Sequence, residues 1–379
     1  MNLAAACEVV HCAPAVCAVV VELHHLGQAA TETVILSGEL YHNVQSTANY
    51  RCVKTAGVTT EFGARSLYDY NKRMTIPPPA IPPPTLPLPI VQSIPHAGLD
   101  APTEMQDQLL VDATTIYNEC DLWADQLYDF THADLQPWRL PGYAPGVLAT
   151  VSAPIARVFV DANRERDDLD NPDGPIKTQT SYGEPIYRAG ISIEQRRALR
   201  DRYWQPFHHQ LAAALATHAG QVRLLLDCHN MAQRGPAAYA FAGAARPLIC
   251  LANLGDETGE PRPDAGATTC PGHVLRAAGE IAADLFADMT LLEPDRLSPS
   301  PPPIVMLNWP FVGGAIIRHY GHSTGDGGRP PAIMVEVNRG LFVGDQEART
   351  PIRPPNLARI AEIRQRLYRW ATAVVKLLP

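Results

Sequence analysis

After residue 90, short β-rich runs alternate with longer helical patterns, and this alternation constrains the fold more than any other feature. The β-rich runs are 89–96, 155–164, 222–229, 247–253, 304–308 and 332–338. The helical patterns cover roughly 103–130, 192–216, 271–288 and 356–378. Such alternation is typical of a mostly parallel sheet with helices on both faces, so we predict a three-layer α/β/α domain.

Local signals refine two of the helical patterns. Ser192 and Gln195 have the spacing of a capping box, which predicts the start of a helix. Pro206 lies inside the same pattern and is expected to kink or restart that helix, because proline lacks a backbone donor. The pattern at 356–378 places apolar side chains on one face, which indicates core packing.

A proline-rich stretch, IPPPAIPPPTLPLPI at 76–90, divides the chain. Because proline fixes φ and removes a backbone donor, we predict a polyproline-type linker here and no part of a sheet. Residues 1–75 have only weak periodicity, so we expect an irregular, poorly ordered N-terminal arm. Residues 91–379 are then the functional domain.

Charge and cysteine usage exclude several classes of protein. A formal net charge of -8 and the lack of a basic run argue against nucleic-acid binding. The 8 cysteines form no CxxC pair, which favours reduced thiols and a cytoplasmic protein. The first residues are apolar enough to suggest a signal peptide. They lack a basic start, however, and Glu8, His11 and Pro14 interrupt the apolar run. They are also too broken for a membrane span.

Polar side chains follow most of the β-rich runs at their C-terminal ends. They are His96, Asp161, Asn163, Arg164, Asp227, His229, Asn308, Glu336 and Asn338. Ligands of an open α/β sheet bind outside the carboxyl ends of its strands, so we expect these side chains to surround one site. Two imidazoles and a carboxylate can hold zinc, a further carboxylate can act as general base, and arginine suits a substrate carboxylate. The pattern predicts metal-assisted hydrolysis of an amide in an anionic substrate.

Seven segments, in order, resemble the N-formylglutamate amidohydrolase family. They are PHAG (95–98), ECDLWADQLYDF (119–130), VDANR (160–164), WQPFH (204–208), DCHNM (227–231), LNWPFVGGAIIRHYG (307–321) and MVEVNRGLF (334–342). The resemblance covers about residues 88–375. It implies a zinc-carboxypeptidase-like, phosphorylase/hydrolase-like fold with a mixed sheet between helices. It also implies hydrolysis of N-formyl-L-glutamate to formate and L-glutamate, late in one route of histidine breakdown.

The resemblance also implies roles for individual residues. His96 and His229 match histidines that look like metal ligands, and Asp121 matches an aspartate that would be the third. Asp125, one helical turn later, is the alternative acidic ligand, because residues four apart share a helix face. Glu336 matches a glutamate at a strand end that looks like the general base.

A second group matches residues that look like substrate contacts. Its members are Asn163, Arg164, Asn308, Gly313, Gly314 and Arg318. Arg164 would pair with a substrate carboxylate, and the glycines would let backbone N–H groups approach the ligand. His208 is interpreted as packing or as support for the site, and Cys228 as core, because it should point away from its neighbours on the strand.

Two departures from the family pattern concern substrate choice. Ala162 stands where leucine is usual, and Asn230 stands where serine is common. The leading hypothesis is an enzyme with one zinc ion per chain that acts on a small anionic N-acyl amino acid, although other divalent ions suit the same ligands. The alternatives are hydrolysis of another N-acyl amino acid or peptide amide, and an inactive relative that serves as an interaction module. No membrane partner is expected, and the sequence leaves the oligomeric state open.

Overall fold

The computed structural model describes residues 86–263, 266–295, 297–298 and 300–378, together with the backbone of three strands near the N-terminus. These strands are β1 (Ala5–Ala13), β2 (Val16–His25) and β3 (Gln28–Leu36). They form an antiparallel sheet in the order β1-β2-β3. Residues 37–85, which include much of the predicted arm and linker, lie outside the described residues. The chain divides into two compact units, 1–80 and 81–379.

The second unit contains a six-stranded mixed sheet in the order β5-β4-β6-β9-β7-β8. Its strands are β4 (Leu86–Ile94), β5 (Tyr143–Ser152), β6 (Leu224–Met231), β7 (Ile249–Ala252), β8 (Val305–Leu307) and β9 (Ala332–Asn338). Strands β5, β4, β6 and β9 pair in parallel, whereas β7 pairs with β9 antiparallel and β8 follows the direction of β7. The predicted mostly parallel α/β architecture is confirmed.

Helices cover both faces of this sheet. They are α1 (Ala113–Glu119), α2 (Ala124–Leu127), α3 (Ile193–Leu199), α4 (Gln205–Thr217), α5 (Gly272–Phe286), α6 (Ala315–Tyr320) and α7 (Leu357–Leu377). Short 3₁₀ turns occupy Thr103–Gln108, Ala133–Trp138, Asp326–Gly328 and Arg339–Leu341, and a π-helical turn occupies Arg200–Trp204. None of the described helices has the length and apolar character needed to span a membrane.

The two-residue period of β6 sorts its side chains between two cores. Leu224, Leu226 and Cys228 pack on the face covered by α5 and α7, so the prediction that Cys228 belongs to the core is confirmed. Leu225 packs on the face covered by α4. Because alternate residues of a strand share a face, Asp227 and His229 point to the same side as Leu225. A fully buried strand thus delivers two polar side chains to one face at its C-terminal end.

The linker prediction needs a correction, because its last residues, 86–90, belong to β4. Pro87 and Pro89 are tolerated here because of the direction in which they face. The carbonyl of Pro89 accepts a hydrogen bond from the Arg223 N–H, so the N–H groups missing at both prolines would face β6. The β6 ladder begins only at Ile90, opposite Leu224, so neither proline removes a ladder hydrogen bond.

The single helix predicted over 103–130 is wrong, because the chain forms three short helical pieces there. Helix α1 stops at Glu119, and Cys120 is extended. The Asp121 N–H then donates to the His96 carbonyl at 3.0 Å, and Trp123 adopts a left-handed conformation with φ 53°. A hydrogen bond to a distant part of the chain therefore replaces the i to i−4 hydrogen bond of a continuing helix.

The strand predicted over 155–164 is also wrong. Ile155 and Val160 make only isolated bridges, to Asp100 and Ile176. The N–H groups of Phe159 and Val160 both donate to the Ala156 carbonyl, which makes this segment a turn. Its apolar side chains still enter the core on the α4 face, so burial produced a strand-like pattern without sheet pairing.

The predicted capping box is confirmed at the start of α3, where the side chains and backbones of Ser192 and Gln195 bond reciprocally. The helical run continues from α3 into α4 through the π-helical turn, in which the Gln205 N–H donates to the Arg200 carbonyl. This wider turn comes immediately before Pro206, at which a regular α-helix would lose a backbone hydrogen bond.

Candidate metal centre and active site

Three buried side chains from separate parts of the fold converge at the C-terminal ends of β4 and β6. His229 Nδ1 lies 3.1 Å from His96 Nδ1 and 3.0 Å from Asp121 Oδ2. His96 Nδ1 lies 3.3 Å from the same Asp121 oxygen. These three residues, here called the His–Asp–His trio, form a group whose ligand atoms could hold one metal ion.

A carboxylate stands behind each imidazole of the trio. Asp161 Oδ1 lies 2.8 Å from His96 Nε2, and Asp227 Oδ2 lies 3.1 Å from His229 Nε2. Carboxylate oxygens accept hydrogen bonds, so each ring is expected to carry a proton on Nε2 and to present Nδ1 toward the trio. Asp227, which the sequence places only at a strand end, lies where it can hold the ring of His229.

The donor set of the trio fits a metal ion. With both Nε2 atoms protonated, two Nδ1 lone pairs and the Asp121 oxygen face one another at 3.0 to 3.3 Å without a donor between them. Three buried acceptors in contact repel one another unless a cation lies among them. Two imidazole nitrogens and one carboxylate oxygen are a ligand set used by zinc in hydrolytic enzymes.

Between the two candidate acidic ligands, the structure brings Asp121 to the histidines and leaves Asp125 exposed on α2. The reason is the break after α1. Once the helix has ended, the hydrogen bond from the Asp121 N–H to the His96 carbonyl fixes this aspartate beside the first histidine.

Asn163 connects the carboxylates behind the trio. Its N–H donates to Asp161 Oδ1 at 2.9 Å, and its Nδ2 donates to Asp227 Oδ2 at 3.1 Å. Its Oδ1 accepts from the Ile316 N–H at 2.8 Å. A Cβ at Gly314 would lie 2.3 Å from that same oxygen, so this glycine makes room for Asn163 rather than for a ligand.

Glu336 is next to the trio on the neighbouring strand. It pairs with His229 across the parallel β6–β9 ladder, and both side chains point to the same face. The residue is 7% exposed, and its carboxylate accepts no hydrogen bond from any described residue. Burial raises the pKa of Glu336 to about 7, although the charges of His229 and nearby arginines oppose the shift.

A cavity of about 310 Å³ opens over the trio and Glu336. Four arginines line it: Arg157, Arg164, Arg246 and Arg339. Asn163, Gly313 and Gly314 also line it. The positive charge of the lining suits an anionic ligand.

Two of these arginines are already paired with carboxylates. Arg157 Nε donates to Asp161 Oδ2 at 3.1 Å, and Arg164 Nη2 donates to Asp173 Oδ2 at 3.0 Å. Asp173 also pairs with Lys177, whose side chain is fully buried. Arg246 and Arg339, in contrast, have no carboxylate within 4.0 Å among the described residues.

Two residues that the resemblance places at the pocket are not among the residues that line the cavity, which corrects that expectation. The Asn308 side chain donates to Asn253 Oδ1 at 2.9 Å, and β8 runs opposite to β9, so the C-terminal end of β8 faces away from the trio. Arg318 is half-exposed and pairs with Glu165 at 2.6 Å.

Comparison with known proteins assigns the chain to a family. A family model described as N-formylglutamate amidohydrolase matches residues 88–343. The chain belongs to the N-formylglutamate amidohydrolase family.

Individual relatives cover most of the chain. It is 25% identical over 294 residues to N-formylglutamate deformylase of Pseudomonas putida, a match that covers 75% of this chain and 93% of the relative. It is 26% identical over 297 residues to N-formylglutamate deformylase of Pseudomonas aeruginosa, with 75% and 94% covered. The solved N-formylglutamate amidohydrolase of Ralstonia eutropha JMP134 has a similar fold, with a TM-score of 0.53, 19% identity, and 78% of this chain and 96% of that chain covered.

His208 supports the site and takes no part in the trio. Its Nε2 donates to the Ala162 carbonyl at 2.8 Å, next to Asn163. Its ring stacks 3.7 Å from the ring of Trp204 and 5.8 Å from that of Tyr320. The predicted packing role of His208 is confirmed, and the contact to Ala162 holds the turn that carries Asp161 and Asn163.

We expect the free energy of unfolding of this protein to fall in mild acid because of His208. Burial lowers the pKa of His208 to about 4, and His319 adds to the shift, although the hydrogen bond to Ala162 opposes it. His208 takes up a proton near pH 6.5 in the unfolded chain but only near pH 4 in the folded chain. Its contribution to the free energy of unfolding is therefore complete above pH 6.5 and is lost as the pH falls from 6.5 to 4. Between pH 7.5 and 4.5, the free energy of unfolding in urea should fall less for His208→Gln than for the wild type, by about 2–3 kcal/mol. If the free energy of unfolding depends on pH in the same way in the variant and the wild type, this account is wrong.

Sequence reasoning missed Arg157, Arg246 and Arg339 as lining residues of the cavity. Arg339 lies within the MVEVNRGLF segment that carries Glu336, so its position close behind a strand end was an available signal. Arg246 precedes β7, and it reaches the site only because β7 runs antiparallel to β9. Strand direction cannot be read from the local pattern, so no such signal existed for Arg246.

Proposed function

We propose that this protein is a metal-dependent amidohydrolase that hydrolyses N-formyl-L-glutamate, or a close N-acyl amino acid, to the acid and the free amino acid. The observation that carries the proposal is the His–Asp–His trio beside the buried, unbonded carboxylate of Glu336. The names of the Pseudomonas relatives supply the substrate, and membership of the family supplies the reaction class.

Zinc is the proposed metal, held by His96, Asp121 and His229. When bound, the ion supplies Lewis-acid chemistry at the amide carbonyl and makes a water molecule more acidic. The chain's own contribution is to orient both imidazoles through Asp161 and Asp227 and to hold the ligand side chains in a buried position.

Glu336 is the proposed general base. Its carboxylate accepts the proton of the attacking water and later delivers that proton to the leaving nitrogen, so it handles one proton in both halves of the reaction. A carboxyl whose pKa is raised to about 7 can perform both steps near neutral pH. Its place opposite His229 on the adjacent strand puts it beside the trio.

Arg164 is proposed to help bind one carboxylate of the substrate at the cavity, where it keeps its own partner Asp173. The cavity of about 310 Å³ suits a small acylated amino acid better than a peptide amide. Ligand sites usually span about 300–1,000 Å³, so this one is near the lower limit.

The proposal is tested by measuring formate and glutamate released from N-formyl-L-glutamate, together with the metal content of the purified protein. Equal amounts of both products and about one zinc per chain are expected, with kcat/KM of about 10⁴ M⁻¹s⁻¹ or more. N-acetyl-L-glutamate serves as the comparison substrate for the size of the acyl group. If zinc-loaded protein hydrolyses neither compound, the proposed substrate class is wrong.

A further inference from the structure

Arg246 is a buried cation that has no counter-ion among the described residues. The residue is 5% exposed and lines the cavity, and no described carboxylate lies within the 4.0 Å of an ion pair. Within the described part of the chain its guanidinium makes one hydrogen bond, from Nη1 to the Ala232 carbonyl at 3.5 Å. A guanidinium has five donors, so most of those on Arg246 are available to a ligand. Burying such a charge is costly unless an anion joins it.

The backbone and side chain of Arg246 are held in place from several directions. Its N–H donates to the Gln233 carbonyl at 3.1 Å, and its carbonyl accepts from Asn338 Nδ2 at 3.1 Å. Its guanidinium lies 4.9 Å from the ring centre of Phe311. A cation stacked on an aromatic face has few alternative positions, which preorganises it for one ligand group.

The sheet places Arg246 on the far side of Glu336 from the trio. Glu336 pairs with His229 on one side and with Cys250 of β7 on the other, and Arg246 comes just before β7. Neighbouring strands are about 4.8 Å apart, so β6 and β7 are separated by about 10 Å. The order across the site is therefore metal ligand, general base, arginine.

The proposed chemistry gives this order a meaning. Glu336 protonates the leaving nitrogen, so the amino-acid half of the substrate extends from the trio past Glu336. The side-chain carboxylate of glutamate lies several bonds beyond that nitrogen, which brings it toward β7. Arg157 is not in this direction, because it bonds to Asp161 directly behind His96.

We propose that Arg246 binds the side-chain carboxylate of the substrate and so makes the enzyme selective for acidic N-acyl amino acids. Arg339 supports it as a second cation at the same cavity, where its Nη1 is held by the Cys120 carbonyl at 2.6 Å and its buried Nε has no partner. This inference rests on the proposed function, since it assumes hydrolysis of an N-acyl amino acid at the trio.

The experiment combines one variant with two substrates. Wild type and Arg246→Met are assayed for formate release from N-formyl-L-glutamate and from N-formyl-L-glutamine, whose side chain has the same shape but no charge. The substitution should lower kcat/KM on N-formyl-L-glutamate on the order of 100-fold, mostly through KM. It should change kcat/KM on N-formyl-L-glutamine by less than about threefold, because that substrate brings no anion.

Arg276→Met is the matched control, since this exposed arginine pairs with Glu260 away from the cavity and should leave both rates unchanged. Equal losses of Arg246→Met on both substrates would overturn the inference and leave the proposed function standing. The wild type alone also tests it, because equal kcat/KM on the two substrates would overturn it even if the variant failed to fold. Formate release from neither substrate by the zinc-loaded wild type would count against the proposed function itself.

Discussion

Glu336→Gln is expected to lower kcat on N-formyl-L-glutamate by about 10²–10⁴-fold, because glutamine cannot accept and return the proton of the attacking water. The side chain is nearly isosteric, and the wild-type carboxylate accepts no hydrogen bond from the described residues. The variant should therefore fold and keep its metal. The measurement is steady-state formate release together with zinc content and thermal unfolding.

Glu119→Gln is the matched control for that experiment. Glu119 is another buried carboxylate at the same cavity, but it accepts hydrogen bonds from the Ser181 N–H at 2.9 Å and from Ser181 Oγ at 2.8 Å. Glutamine keeps one acceptor oxygen there, so kcat should change by less than about tenfold. A Glu336→Gln enzyme with more than a tenth of wild-type kcat would refute the base assignment. One that loses its zinc would make Glu336 a ligand.

His229→Ala is expected to remove the metal and the activity together. The variant deletes one of two imidazoles in the trio and leaves the Asp121 and Asp227 carboxylates without their shared partner. Loss of the metal removes several kcal/mol of transition-state stabilisation, so kcat/KM should fall by roughly 10³-fold or more. Zinc content and formate release are measured on the same preparations.

Two other variants make that result interpretable. Asp227→Asn leaves the three ligands in place and alters only the support of His229, so zinc affinity should fall by about 10–100-fold without complete loss. His208→Gln changes a buried histidine outside the trio and should keep its zinc. If His229→Ala retains stoichiometric zinc, the metal is bound elsewhere and the proposed ligand set is wrong.

Much of the fold was predictable because its strands are continuous apolar runs. The run that contains LLLDCHNM is β6, and AIMVEVN is β9, since both are buried on two faces and neither contains glycine or proline. The segment at 155–164 is also rich in apolar residues, yet it forms a turn. Strand β5 was not predicted, because it contains Pro145 and Gly146. Apolar composition reports burial, and sheet pairing depends on partners far away in the chain.

The candidate site was predictable where its residues end parallel strands. His96, His229 and Glu336 converge as expected, because the carboxyl ends of β4, β6 and β9 meet at one edge of the sheet. Asn308 does not join them, although it also follows a strand, because β8 runs in the opposite direction. The same reversal carries Arg246, which precedes its strand, to the cavity.

The sequence by itself determined which side chains are available for chemistry and which of them lie at strand ends. It also determined that Asp227 and His229 share one face of their strand, because successive side chains of a strand point to opposite faces. Only the tertiary structure decided that Asp121 rather than Asp125 meets the histidines, and that Arg246 has no counter-ion among the described residues. Both outcomes depend on where a helix is interrupted and which way a strand is paired, and such long-range contacts leave no local pattern in the chain.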